Sequence, residues 1–278
     1  MLLWSSWGII IKIMVMPLQQ VIFFSSLFSL PFLLVFARLH PPAIAKLMPD
    51  LQESYRAILL LAFFLLLNLF FYFSAIRYTT IANAVFSHYT APVFVAMFAP
   101  FFLNESLDRW TAISLPLSLA GLFLILAPGM KFFSDHSSAL GIGCGVVSGI
   151  AYAATLLVAK KLTRGLSPVS IAFWQAFFIV LITAPLVVLG QPSHTPPVDW
   201  IIVLLLGIIH CSLAPLMYVS GLSVIKAQHV AVVGYLEPVS TIVLGALVLQ
   251  EIPQAGSSIG GLLIFAAGFL VIWKGYRR

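Results

Sequence analysis

Ten apolar stretches, most of them close to membrane-spanning length, constrain this 278-residue chain more than any other feature. A helix that crosses a hydrocarbon core of about 30 Å needs about twenty predominantly apolar residues. Lipid offers backbone groups no hydrogen-bond partners, so spanning segments are helices or closed barrels, and the strand-like alternation of a barrel is absent. The stretches are 2–16, 18–37, 57–76, 80–103, 110–128, 139–159, 168–189, 198–219, 228–250 and 257–274. Only 8% of the residues are charged, against roughly 25% in a soluble domain. Almost nothing remains for a soluble domain, and the longest connection, Arg38 to Arg56, reads as too short to fold alone. The expected fold is an all-α integral membrane protein of ten transmembrane helices.

Charge placement orients it. With the N-terminus in the cytoplasm, the inner loops and tail carry Arg38, Lys46, Arg56, Arg109, Lys160, Lys161, Arg164, Lys226, Lys274, Arg277 and Arg278, whereas the outer loops carry Arg77 and Lys131. The positive-inside rule therefore predicts a cell (cytoplasmic) membrane protein with both termini inside. The net charge of +6 is spread over every inner loop and so marks topology, not a nucleic-acid partner. The first stretch covers only about 24 Å as a helix, so a few upstream residues are expected. A signal peptide is the rival reading, but Lys12 interrupts its apolar part and no small-x-small cleavage site follows.

The chain repeats itself. "YTAPVFVAMFAPFFLNE" from Tyr89 aligns with "YLEPVSTIVLGALVLQE" from Tyr235, and Tyr89/Tyr235, Pro92/Pro238 and Glu105/Glu251 stand 146 residues apart. That offset is about half the chain, so residues 1–130 and 131–278 each hold five spans. An odd number of spans makes the second repeat enter from the opposite face, giving two inverted five-helix repeats within one membrane domain. Glu105 and Glu251 each precede a helix, where a carboxylate favours the positive end of that following helix.

Two five-helix halves, each with a proline inside its fourth helix and a glutamate closing it, together with "LLWSSWGIIIK" at the start, resemble the EamA branch of the drug/metabolite transporter superfamily. The family's early Trp-Gly and Lys features map to Trp7, Gly8 and Lys12. The resemblance implies a secondary carrier with a central cavity open alternately to either side, often exporting amino acids or other small metabolites. Inverted repeats independently point to a site near the membrane midplane. The first half has Ala91 where the second has Glu237, so any role for Glu237 belongs to one repeat.

Candidate pathway residues follow from polarity inside the spans. In the fourth, Asn83, Ser87 and Thr90 recur at helical spacing with His88 alongside; in the ninth, Gly234, Glu237, Ser240, Thr241 and Gly245 do the same, and Tyr89 and Tyr235 stand next to these stripes as aromatic candidates. Such stripes belong against protein or water, not lipid, although serine and threonine hydroxyls can also bond their own helix carbonyls. Pro92 and Pro238 lack an N–H and leave the carbonyls of His88 and Gly234 without their usual donors, so each helix is expected to kink. Lys12, Asn68, Tyr72, Tyr152, Trp174, Gln175 and His210 complete the candidates. The aromatics among them suit a flat or cationic organic ligand better than a bare ion. Glu237 and Lys12 each cost about 2.5–3.5 kcal/mol at a span centre and could meet, with Glu237 as a substrate-amine or proton-coupling site.

Gly141, Gly145 and Gly149, four apart, let another backbone approach the sixth helix, within the monomer or in a homodimer. Cys144 and Cys211 fall within spans and imply no disulfide framework. Six histidines, at 40, 88, 136, 194, 210 and 229, lie too far apart for a clustered metal site. No phosphate-binding Gly-Lys-Ser/Thr loop occurs, which argues against a self-contained ATP-driven pump, and with no clustered metal site or nucleophile–base arrangement evident neither an enzyme nor a cofactor is expected. The expected partners are a small molecule, the lipid bilayer and protons. The alternative function is a flippase for a lipid-linked group, which would require a basic headgroup site.

Overall fold

The computed structural model describes residues 2–5, 14–130, 136–189, 195–240, 243 and 255–275, and every regular element among them is helical. In chain order these are α1 (Leu2–Ser5), α2 (Leu18–Leu39), α3 (Pro41–Tyr78), α4 (Ile81–His88), α5 (Ala91–Leu103), α6 (Arg109–Leu126), α7 (His136–Leu162), α8 (Pro168–Val188) and α9 (Pro197–Ile208). A π turn at Ile209–Leu213 leads into α10 (Ala214–Val224), followed by α11 (Ala227–Gly234) and α12 (Ala255–Gly275). Among the described residues, eight helical segments are long and apolar enough to cross a membrane. Side chains such as Phe101, Leu262 and Phe70, at 81%, 70% and 67% exposure, are tolerable only because lipid covers such faces. The expected stretches 2–16 and 228–250 are described only in part, and Lys12 and Glu251 lie outside the described residues.

The Arg38–Arg56 connection is not a loop. Helix α3 starts at Pro41 and runs to Tyr78, with a break in helical geometry at Ser54 (φ −132°, ψ 19°). Proline is favoured in a helix's first turn, and Ala43, Ile44 and Leu47 form an apolar side that packs on Leu33 and Ala37. A chain too short to fold alone is still long enough to be a helix when its neighbours cover one face.

The chain forms two compact units, each drawing on both sequence halves. The first holds residues 64–157 and 225–278 with the N-terminal five. Its core is Leu122, Tyr235, Val239 and Ile264, with Phe86, Tyr89 and Leu119 against them. Here α6 packs along α12, and α11 along α5. The α6–α12 approach is close because Gly121 and Gly260 face each other's carbonyls. The glycines of α7 allow a close approach to α4 and the residues just before it: Gly141 meets Thr79, Gly145 meets the Ser87 side chain, and Gly149 meets the His88 carbonyl. That stripe therefore serves packing inside the chain.

The second unit holds residues 6–63 and 158–224, and α2 packs on both α8 and α9. Its caps are side chains from distant sequence. Asp199, 1% exposed, accepts the backbone N–H groups of Val15 and Met16 at 2.9 and 2.8 Å. Asp50 accepts that of Ser167 at 3.2 Å. Lys160, expected in an inner loop, is buried and donates to the Leu222 carbonyl at 2.7 Å, where a cation satisfies orphan groups at the end of α10. The π turn has a local cause: Pro215 cannot donate to the Cys211 carbonyl, while the Ser212 hydroxyl takes the Gly207 carbonyl at 2.8 Å.

Candidate functional site

The two proline-bearing segments lose regular hydrogen bonding at one point each, at the expected kinks, while the backbone stays close to the helical region (Tyr89 φ −73°, ψ 10°; Thr90 φ −70°, ψ −12°; Tyr235 φ −64°, ψ −11°). Residues 89 and 90 separate α4 from α5, and Tyr235 separates α11 from the helical residues 236–240. Each break falls three residues before its proline, where the missing N–H leaves an i→i−4 bond unmade. The chain tightens there instead, with Thr90 N–H on the Ser87 carbonyl at 3.3 Å and Tyr235 N–H on the Val232 carbonyl at 3.1 Å. The first unit brings the two breaks together: the Tyr235 hydroxyl donates to the Tyr89 carbonyl at 2.8 Å, and the two rings lie 5.8 Å apart.

Around this junction the first unit gathers most of the expected pathway residues. Asn68 on α3 donates from Nδ2 to the Ser148 carbonyl and hydroxyl on α7 at 3.1 and 3.0 Å. The Ser148 hydroxyl lies 3.1 Å from the Asn68 carbonyl and 2.9 Å from His88 Nδ1. Assigning the single hydroxyl proton to the Asn68 carbonyl makes Nδ1 of His88 the donor and Nε2 its bare, proton-accepting nitrogen. The His88 ring sits among aromatics, with centroids 4.7 Å from Tyr72, 5.4 Å from Tyr89 and 5.6 Å from Tyr152. Glu237, two residues past the second break, has the Tyr89 hydroxyl as a side-chain hydrogen-bond partner. Asn68 and Ser148 are buried, whereas Tyr72, His88, Tyr89, Tyr152 and Glu237 are only partly so. The arrangement is a hydrogen-bonded polar group beside a cluster of aromatic rings, with one carboxylate and one imidazole partly exposed.

Other candidates are placed differently. Asn83 bonds Thr79 at 2.9 Å, near the start of α4. The Ser87 hydroxyl bonds the Asn83 and Ala84 carbonyls of its own helix at 2.7 and 3.1 Å. Trp174, Gln175 and His210 belong to the second unit. There the Trp174 indole N–H donates to the Leu47 carbonyl at 2.8 Å, and His210 is buried in the π turn.

A second polar cluster escaped the sequence reading. Glu105, expected to favour the start of the helix after it, instead accepts the Ala227 N–H of α11 at 2.8 Å. The following helix, α6, is capped by Asp108, which accepts from the N–H groups of Trp110 and Thr111 at 3.0 Å each. Asp108 also meets His229 Nε2 at 2.6 Å, with Lys226 Nζ at 3.8 Å. Partial burial pushes the Asp108 carboxyl up. The hydrogen bonds from His229 and the Thr111 N–H, with the charges of His229 and Lys226, outweigh that and hold it below the ordinary carboxylate range. The legible signal was an aspartate immediately before a helix; nothing in the sequence showed its other partners.

These features define a multi-spanning helical membrane protein with a cluster of polar and aromatic side chains inside its first unit. The EamA-like transporter family matches residues 1–127 and 139–273, and the chain belongs to it. It is a transporter of that type. An uncharacterized transporter of Bacillus subtilis is 27% identical over 76% of this chain and 67% of its own length. A pseudopaline exporter of Pseudomonas aeruginosa is 26% identical over 70% of this chain and 67% of its own. An S-adenosylmethionine uptake transporter of Rickettsia felis is 25% identical over 92% of this chain and 83% of its own. A crystal structure at 20% identity superimposes with a TM-score of 0.83 over 99% of this chain and 94% of that one, which establishes the shared fold.

Proposed function

We propose that this chain is a secondary transporter of small organic metabolites, an exporter of amino acids or related amine-bearing compounds. It works by alternating access between two inverted five-helix repeats, ten spans in all, coupled to protons, from a cell membrane with both termini in the cytoplasm. The observation that carries the reading is the joined pair of helix breaks bearing Tyr89, Tyr235 and Glu237 beside His88, Tyr72 and Tyr152. An ammonium group fits a carboxylate flanked by aromatic faces, through ion pairing and cation–π attraction together. The two stretches matched by the family, 1–127 and 139–273, support a two-repeat chain. So does the spacing of α4 and α11, eight residues each, whose bounds stand at the same 146-residue offset as Tyr89 and Tyr235. The uptake activity of one relative and the export activity of another leave direction to the coupling ion, and export follows when an inward proton gradient drives antiport.

The test has two stages. Purified protein is melted with a panel of amino acids, nucleotides and lipid-linked precursors, because a ligand at 100 times its Kd stabilises by about 2.7 kcal/mol. The compound that stabilises is then followed in proteoliposomes with and without a pH gradient, for wild type and Glu237→Gln. Loss of gradient-driven flux in the variant, with exchange of preloaded substrate retained, is the expected result. Undiminished pH-driven flux removes Glu237 from coupling, and stabilisation by a lipid precursor alone replaces the reading with a flippase.

A further inference from the structure

Helix α11 is anchored at both ends by contacts of different kinds. Its far end is the break at Tyr235, next to Glu237. At its near end, three successive residues bond one short loop: the Ala227 N–H to Glu105, Gln228 Nε2 to the Ser106 carbonyl at 2.8 Å, and His229 to Asp108. The loop begins at Asn104, whose left-handed backbone (φ 56°) ends α5 and turns the chain. The face on which it lies carries Arg109 and Lys274, both against the Trp110 ring, and Lys226, residues the charge rule places in the cytoplasm.

The repeat partner of α11 is built otherwise. Helix α4 is capped by its own Thr80, which accepts the Asn83 N–H at 3.2 Å. The corresponding position before α11 is Lys226, which makes no side-chain cap, so Glu105 supplies the cap from a neighbouring element. Burial differs in the same sense: Ala227 through Val232 are all buried, whereas α4 buries only Asn83, Ala84 and Ser87. An eight-residue helix spans about 12 Å, and with six consecutive buried residues, Ala227 to Val232, α11 presents no open side at this end.

We propose that Glu105, Ser106 and Asp108 form a latch that holds α11 as a closed gate on the basic face of the membrane, and that the transport cycle opens this latch by swinging α11 about the Tyr235 break. Glu105 is a positioning residue: it touches the gate and not the substrate. Releasing it costs α11 the acceptor of its Ala227 N–H, which favours the closed state. Glu237 lies two residues beyond that hinge, which gives site occupancy a mechanical route to the gate. The inference depends on the transporter reading only for its place in a cycle, and its test needs no substrate.

The test is sided thiol labelling. In full-length protein carrying Cys144→Ala and Cys211→Ala, a single Ala231→Cys on the buried α11 is exposed to a membrane-impermeant maleimide from the basic face of proteoliposomes. Glu105→Ala is expected to raise the labelling rate about tenfold, the loss of one charge-assisted hydrogen bond converted to a population ratio. Glu105→Gln, which keeps an acceptor for the Ala227 N–H, should raise it less. Asp199→Asn, which damages a cap in the second unit, serves as the structural control and should lower the melting temperature without changing the labelling. Should Glu105→Ala fail to fold, His229→Asn is read in the same assay with the same expectation. Labelling that stays at the wild-type rate in the latch variants, whatever their melting temperatures, overturns the gate and leaves the contacts as ordinary caps.

Discussion

Gly121→Ala tests the close approach of α6 and α12 directly. A Cβ at Gly121 would lie 2.6 Å from the Gly260 carbonyl oxygen, 3.0 Å from Ile264 Cγ1 and 3.2 Å from Leu263 Cβ. An ordinary carbon–oxygen contact is about 3.4 Å, so the helices must part by about 0.8 Å at this point. A side chain could rotate away, but a helix carbonyl is held by its own hydrogen bond and cannot. Overpacking of this kind costs about 1–3 kcal/mol. Gly260→Ala meets the reciprocal obstacle, the Gly121 carbonyl, so one separation accommodates both methyl groups. The double variant should therefore cost less than the sum of the singles, by about 1 kcal/mol. Gly268→Ala, on the same helix but with nothing within 4 Å of its Cβ, is the control and should be neutral or stabilising by up to about 1 kcal/mol. Equilibrium unfolding in mixed micelles of rising SDS fraction, followed by tryptophan fluorescence, measures all four. Gly121→Ala unfolding together with the Gly268→Ala control, or a strictly additive double variant, refutes the argument that backbone contact sets this interface.

Two further outcomes follow from the caps. Asp199→Ala removes the acceptor of two N–H groups and should destabilise by about 1.5–3 kcal/mol, read as a lowered melting temperature; a change within error would mean that water replaces the carboxylate at no cost. Asp108 is held below its ordinary value by His229, the Thr111 N–H and Lys226, so the stability it contributes is complete above the ordinary carboxylate pKa of about 3.9 and is lost as pH falls through the depressed value. The melting-temperature difference between wild type and Asp108→Asn should hold from pH 7 to about 5 and narrow below about pH 4; a difference that widens on acidification contradicts the assignment.

How far the sequence could be read depended on whether a property was local. Apolar length gives the spans because every residue in lipid faces the same requirement for internal backbone hydrogen bonds. The positions of both helix breaks followed from Pro92 and Pro238, since a missing N–H acts within one turn. His88, Tyr72, Tyr89, Tyr152, Tyr235 and Glu237 were identified singly, as polar or aromatic groups within apolar runs, but nothing local indicated that they share a unit while Trp174, Gln175 and His210 belong to another. Glu105 shows the limit best. Its place at a helix end was visible, yet which helix it caps was not, because the start of α6 had its own aspartate and α11, 122 residues away, lacked a cap.

By itself the sequence determined a helical membrane chain, the matching Tyr-Pro-Glu spacing in its two halves and where polar residues interrupt the apolar runs, because length, hydropathy and proline act through the solvent and the neighbouring turn. Only the tertiary structure decided that the connection before the third span is helical, that Asn68, Ser148 and His88 form one hydrogen-bonded group, and that the two breaks meet through Tyr235 and Tyr89. Those outcomes depend on which small residues let helices approach and which distant group reaches an unpaired N–H. Both are settled by packing in three dimensions, which no local pattern encodes.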